Sequence, residues 1–305
     1  MILKSHGAAG MKHCNLLVVG AGAAGITAAV SAWKNGCRSI ILVDRSSQPG
    51  GVLPQCLHEG FGFSTFGKEL TGPDYAAKLT ESLRETGVLH FPETEVLSIS
   101  RDKTAVISRR GFLDRISFDK LILASGCREK TIGALPVAGT RPAGIFTAGQ
   151  AQERINLRRQ DIGENILILG SGDLGMIMAR RFTLEGKHVI AVLEQNASFG
   201  GMARNFHRCI EAFRIPIRFR TTVAEIHGKG RINGVTVENL DTREIEQISC
   251  DTLVTAVGLV PEQELMRGLE NPDWLYPVGN CRHIHDLVDS AVAEADRIAR
   301  EAISL

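Results

Sequence analysis

Two sets of three glycines carry the chemistry most readily read from this chain. Gly20, Gly22 and Gly25 stand at the spacing G-x-G-x-x-G, and Gly170, Gly172 and Gly175 repeat it 150 positions later. In such a set the first glycine permits a tight turn and the second lets backbone approach a pyrophosphate. The third lets the following helix pack close to its strand. Asp44 and Glu194 each follow the middle glycine of their set by 22 residues, an interval at which a carboxylate can accept from a ribose hydroxyl. The same 150-residue offset relates Gly36 to Gly186 and Gly50-Gly51 to Gly200-Gly201. A repeat kept without a gap means two similar folding units. Two dinucleotide sites in one chain point to two dinucleotides that react with each other.

The remaining reactive side chains are few. Cys56 and His58 follow the Gly50-Gly51 loop and form the catalytic candidate: a thiol near a bound ring, cycling through sulfenic acid, with His58 favouring the thiolate. The competing reading, favoured here, makes them a buried cysteine and a hydrogen-bonding histidine that shape the loop. The seven cysteines include no pair at C-x-x-C or C-x4-C spacing, so dithiol exchange is disfavoured. Cys281, His283 and His285 alternate in a loop without a fourth ligand nearby, so no metal is expected. Arg158-Arg159 and Arg180-Arg181 read as solvated helix faces.

These residues need elements to hold them. LLVV at 16–19 reads as a buried strand, and residues 23–33 as a helix whose N-terminal N–H groups face phosphate. SIILVD ends in Asp44 as the next strand. The second unit, over 165–195, repeats this order. FDKLILASG, ending at Gly126, and CDTLVTAVG, ending at Gly258, are a further echoed pair of strands. Between them lie period-two runs that predict strand meanders. Helices are expected over 75–86, 202–213 and from about Asp286 to the end, the last with Leu287, Ala291, Ala295, Ile298 and Ala302 on one face. VLHFPETEVLSIS predicts a strand pair turning near Pro92. Gly126 to Asn156 reads as a crossover between regions, which divides the chain into residues 12–160 plus 266–305 and residues 161–265.

Composition excludes other classes. With 305 residues, 44% hydrophobic and 23% charged, the chain is globular and long enough for two domains. A net charge of +1 and 5% aromatics argue against nucleic acid. The uncharged window 16–32 is broken by glycines, so no membrane span is expected. Cysteines in odd number fit a reducing cytoplasm. The start lacks a signal-peptide core, and the residues before Met11 read as a leader.

GAGAAG with Asp44 and Gly50-Gly51, LILASG, GSGDLG with Glu194, TAVGLVP at 255–261 and PVGN at 277–280 resemble the pyridine nucleotide–disulfide oxidoreductase superfamily of flavoproteins. GGVLPQCLHEGFG, ELTGPDYA, GIFTAGQAQERIN and GNCRHIHDLVDS are similar to the NAD/FAD subunits of sarcosine, opine and hydrogen-cyanide-forming oxidase systems and of glycerol-3-phosphate-dehydrogenase-associated oxidoreductases. The resemblance implies an α/β fold of two Rossmann-like dinucleotide-binding domains of three-layer ββα type, arranged as in thioredoxin reductase. It implies FAD in the first and NAD(H) in the second. FAD would be held by Gly20, Gly22, Ala23, Ala24, Gly25, Asp44, Arg45, Gly51, Val52, Val96, Ser125 and Gly126, and by Gly279, Asn280, Asp286 and Leu287. NAD(H) would be held by Gly170, Gly172, Asp173, Leu174, Gly175, Glu194 and Gly258. Asn280 stands where the superfamily usually has Asp, and the return segment from Pro261 to Gly279 is shorter than in relatives. No iron–sulfur module like those of the large oxidase subunits occurs in these residues.

The activity implied is hydride transfer between nicotinamide and flavin, with electrons passed to or from a partner protein, a dehydrogenase or oxidase subunit such as an amine- or glycerol-phosphate-type dehydrogenase. A homodimer is compatible with it. NADH is expected over NADPH, because no arginine follows Glu194 at 195–197 to meet a 2′-phosphate. Two alternatives are a stand-alone NADH oxidase or peroxidase using Cys56, and a non-catalytic flavin-binding subunit.

Overall fold

The computed structural model describes residues 12–270 and 272–304; the expected leader lies outside them. The chain forms two compact units, one of residues up to Arg128 together with those from Pro261 onward, the other Glu129–Val260.

The first unit is built on a parallel sheet in the order Leu89–Phe91, Ile40–Val43, Lys12–Val19, Phe112–Leu123, with Leu275–Pro277 also parallel to the last strand. Successive side chains of a strand face opposite sides, and both sides here are apolar. Leu16 and Val18 pack beneath the helices Ala23–Lys34, Gly72–Arg84 and Val288–Ser304. Leu17 and Val19 face the other way, against Ile99, Ala105, Ile107 and Ile116 of an antiparallel meander, Thr94–Ser100, Thr104–Arg109 and Phe112–Leu123. The result is three layers: meander, parallel sheet, helices.

The second unit repeats the plan. Its parallel sheet runs Ile145–Thr147, Thr252–Thr255, Asn165–Leu169, His188–Leu193, Ile217–Arg218. Ile166 and Ile168 pack under Met176, Met178 and Phe182 of the helix Asp173–Leu184. Leu167 and Leu169 meet Val223, Val235 and Val237 of a second antiparallel meander.

Some elements differ from the sequence reading. Leu89–Phe91 extends the parallel sheet beside Ile40–Val43, whereas Thr94–Ser100 pairs with Thr104–Arg109; Pro92 between them has no N–H to give a hairpin ladder. The helix expected at Tyr75 starts at Gly72, where the Thr71 hydroxyl accepts from the Asp74 N–H. Residues 202–213 give one short turn, Ala203–Asn205, and then a π-helical stretch, Phe206–Glu211. The last helix begins at Val288, leaving Leu287 exposed before it. Residues 129–160 belong to the second unit, not the first as the sequence suggests. The physical reason is pairing: Ile145–Thr147 is an edge strand on Thr252–Thr255, and Ala148 and Ala151 enter the core with Phe182. Residues 261–265 return to the first unit, where the Glu262 N–H donates to Gly126 O and the Ser125 hydroxyl to Glu262 O.

Candidate functional site

Each glycine set sits where a central strand turns into a helix, and the two turns are built alike. Gly20 N–H donates to Val43 O and Gly170 N–H to Leu193 O, both at 2.8 Å. A Cβ on Gly20 would stand 2.3 Å from Ala124 O, and one on Gly170 the same distance from Ala256 O. A Cβ on Gly25 or Gly175 would collide with the carbonyl of Gly20 or Gly170, at 1.8 and 2.2 Å. The outer glycines are therefore required by the protein itself. The middle ones are not. Beyond its own chain neighbours, no described atom lies within 4 Å of a Cβ built on Gly172, and for Gly22 the nearest is Gly51 Cα at 3.9 Å. The open space at the middle glycine is where a pyrophosphate would pass.

Helix ends support the same assignment. Gly72–Arg84 and Ala148–Asn156 are capped by their own Thr71 and Thr147 side chains. The helices that follow the glycine turns have glycine at the cap and no side-chain cap bond. Their N-terminal donors and dipole suit an anion. Ala23 and Ala24 are half-buried in this first turn, as are Asp173 and Leu174 in the second. Asp173 turns its carboxylate away from capping, accepting from Met202 N–H and Asn205 Nδ2 at 2.8 and 2.7 Å.

The two carboxylates at the strand ends differ. Asp44 accepts two bonds, from Ala21 N–H at 2.5 Å and Ser46 N–H at 2.7 Å, and is half-buried. A carboxylate offers about four acceptor positions, so two remain for a ribose diol. Glu194 is 5% exposed. Its Oε2 accepts from the N–H and hydroxyl of Ser171, and its Oε1 from the N–H and Nδ2 of Asn196. All four positions are taken. Sequence reasoning missed Asn196, whose offset from Ser46 is the same 150 residues; the signal was the repeat, and the substitution of Ser by a side chain with an amide donor.

Around the first turn, Asp44 O accepts from Thr94 N–H and Ser46 O from Glu93 N–H. These bonds bring the strand carrying Val96 beside Asp44, with a register shift between Val96 and Ser98. Arg45 and Val52 are exposed, and Gly51 stands at φ +60°, its Cα side against Gly22. Ser125 and Gly126 are half-buried, Gly126 at φ +76°. In the second unit Gly258 is exposed at φ +108° and accepts from Lys130 N–H.

Cys56 is buried, its thiol donating to Val52 O at 3.4 Å. Burial pushes the thiol up to about 12, the opposite of what a reactive thiolate needs. Its carbonyl accepts from Gly72 N–H, and a Cβ on Gly72 would strike both Cys56 and Leu53. His58 lies against Phe61, ring centroids 4.8 Å apart, with Nδ1 at 3.0 Å from Glu59 O. The pair shapes a tightly packed loop. The same loop is held by Asp289, which the sequence reading did not single out: its carboxylate accepts from Ser64 N–H, the Thr65 hydroxyl and the buried Tyr75 hydroxyl.

Gly279 and Asn280 lie at the end of the Leu275–Pro277 strand. Asn280 uses its carbonyl oxygen for His285, accepting from its N–H at 3.0 Å, and its amide faces Cys127 Sγ at 3.6 Å. Asp286 and Leu287 are exposed. Burial, helped by His283, lowers the pKa of His285. No helix among the described residues is long and apolar enough to cross a membrane.

The family described as pyridine nucleotide-disulphide oxidoreductase matches residues 14–274. Human apoptosis-inducing factor 3 is 26% identical over 262 residues, covering 83% of this chain and 40% of that protein. Thioredoxin reductase of Rickettsia typhi is 22% identical over 297 residues, 95% of this chain and 92% of its own. Hydrogen cyanide synthase subunit HcnB of Pseudomonas aeruginosa is 26% identical over 286 residues, 84% of this chain and 59% of its own. The chain thus spans less than two thirds of two of these three relatives. Among solved structures, T. acidophilum thioredoxin reductase superposes with a TM-score of 0.78 at 20% identity, covering 96% of this chain and 98% of that one.

Proposed function

Because the chain belongs to the pyridine nucleotide-disulphide oxidoreductase family, and so is an FAD-dependent enzyme whose cofactors are FAD and NAD(P)H, we propose that it moves electrons between NAD(H) and a partner protein. FAD is assigned to the Gly20–Gly25 turn and NAD(H) to the Gly170–Gly175 turn. The observation that carries this reading is the doubled glycine turn, each with an uncapped helix N-terminus and open space at its middle glycine.

FAD, when bound, would supply the two-electron redox chemistry. The chain's own residues bind and orient. Gly22, Ala23 and Ala24 offer backbone N–H groups to the FAD pyrophosphate, and Asp44 offers its two spare acceptor positions to the adenosine ribose. Gly279 and Asn280 would lie along the ribityl chain of a bound FAD. Gly172, Asp173 and Leu174 do for NAD(H) what the first turn does for FAD. Glu194 places a buried negative charge at the ribose end, which disfavours a 2′-phosphate, and no arginine at 195–197 offsets it. One of its four donors must yield before it can bind a ribose hydroxyl.

The electron partner is inferred from chemistry and kinship. None of the seven cysteines stands at C-x-x-C or C-x4-C spacing from another, so a thiol substrate meets no dithiol motif. A relative such as the hydrogen cyanide synthase subunit is by its name part of a larger assembly, which supports a dehydrogenase- or oxidase-type protein as donor or acceptor. A cytoplasmic site suits seven cysteines, an odd number without framework spacing. The test is steady-state dye reduction by the purified flavoprotein. Turnover driven by NADH, with NADPH at least about tenfold poorer in kcat/KM, supports the reading. Absence of NADH-driven turnover in a protein that holds FAD contradicts it.

A further inference from the structure

The segment after Gly279 brings together three donor side chains that the redox reading does not use. His283 and His285 lie with ring centroids 3.9 Å apart. Glu294, two turns into the last helix, faces both: its Oε1 is 3.7 Å from His283 Nδ1 and its Oε2 3.7 Å from His285 Nε2. One ligand atom from each lies within 4.8 Å of the others. The side chains of His285 and Glu294 are only 7% and 10% exposed.

Hydrogen bonding orients the His285 ring. His285 Nδ1 is 3.3 Å from Asn280 Oδ1, the same oxygen that accepts from the His285 N–H. That oxygen accepts, so in the neutral ring Nδ1 donates to it and Nε2 is the atom turned toward Glu294 as a ligand. His285 Nε2 stands 3.7 Å from the Glu294 Oε2, too far for a direct hydrogen bond. Two donors held at about 2.0–2.1 Å by one tetrahedral ion stand about 3.4 Å apart, and about 3.7 Å once the angle opens to about 130°. Each histidine is thus within reach of an ion shared with Glu294, and the three ligand atoms, within 4.8 Å of one another, would draw in by roughly half an ångström to meet one ion.

We propose that His283 Nδ1, His285 Nε2 and the Glu294 carboxylate bind one divalent transition-metal ion, zinc by ligand preference. Two neutral imidazoles and one carboxylate form a three-ligand set with the fourth position open. Asn280 is the outer partner that orients His285, as metal-bound histidines usually have. Glu294 is held in place by Gly279 N–H on Oε2 at 2.8 Å, whereas Arg282 Nη1 sits on Oε1 at 2.7 Å, where its charge opposes an incoming cation. The ion ties the 279–287 loop to the helix that follows it. Arg282, exposed and positively charged, competes with the ion for Glu294.

The test uses the full chain as purified flavoprotein without a polyhistidine tag, stripped with chelator and titrated with Zn²⁺ by calorimetry, with bound metal counted by mass spectrometry. One zinc per chain is expected. His283→Ala and His285→Ala should each weaken binding about tenfold or more, while the His283 variant, altered at an exposed position, keeps its flavin spectrum as a check on folding. Arg282→Gln should tighten binding several-fold, an effect that a merely structural cluster would not give. No saturable binding by the parent protein, or binding that both histidine variants leave unchanged, would overturn the proposal. So would Zn²⁺ affinity that is unchanged or lower in Arg282→Gln.

Discussion

Gly172 offers a clean single-residue test, because the cost of a side chain there falls on the ligand alone. Beyond its own chain neighbours, its Cβ meets no described atom within 4 Å, so Gly172→Ala should fold and keep FAD. If the nicotinamide dinucleotide's pyrophosphate crosses that space, KM for NADH rises about tenfold, or roughly 1.4 kcal/mol; an unchanged KM would move the site elsewhere. Gly25→Ala is the contrasting case: its Cβ would lie 1.8 Å from Gly20 O, so loss of FAD and of soluble protein is expected. At Glu194 the saturated carboxylate sets the prediction. Asn196→Ala removes one of four donors and returns an acceptor position to Oε1, so KM for NADH should fall while that for NADPH stays high. Equal shifts for the two would remove Glu194 from the ribose. Cys56 carries no catalytic expectation. Its thiol titrates near 12, so Cys56→Ser should keep NADH-driven dye reduction, and peroxide followed by dimedone should leave no adduct at this residue.

At the scale of elements, the strand–turn–helix units were legible because each local rule agreed with the others: apolar run, glycine spacing, helix, and acid at a fixed interval. Both helices begin one residue after the middle glycine. What escaped reading was set by partners distant in sequence. Ile145–Thr147 looks like part of a connection until Thr252–Thr255 is beside it. Leu89–Phe91 takes its place from Ile40–Val43 and not from its neighbour in sequence. Asp289 and Glu294 meet loops through the start of the last helix, and nothing in their own spacing announces it. Glu194 was placed correctly at the strand end, but its occupancy by Asn196 depends on turn geometry that a residue pattern does not encode. The helix Asp173–Leu184 depends on Phe182, fully buried under the second sheet. Phe182→Ala should cost about 3–5 kcal/mol, seen as a lowered urea midpoint; a change under about 1 kcal/mol would mean that the second core repacks freely.

For the molecule as a whole, three buried thiols make a pH prediction. Burial is the largest cause that pushes Cys14 and Cys56 to about 12 and Cys250 to about 11, from 9.0. Between those values the unfolded chain binds fewer protons than the folded one, so stability falls as pH rises. Their contribution is fully present below pH 9 and is lost as pH climbs to about 11–12. Alanine at the three positions should flatten the alkaline limb of the unfolding curve. The central claim concerns the two units acting as one redox chain from nicotinamide to flavin to partner. Anaerobic addition of NADH to the purified protein, followed by its visible spectrum, tests this most directly. The account predicts flavin bands that bleach on NADH and return with an electron acceptor. Flavin bands that persist under excess NADH would contradict it.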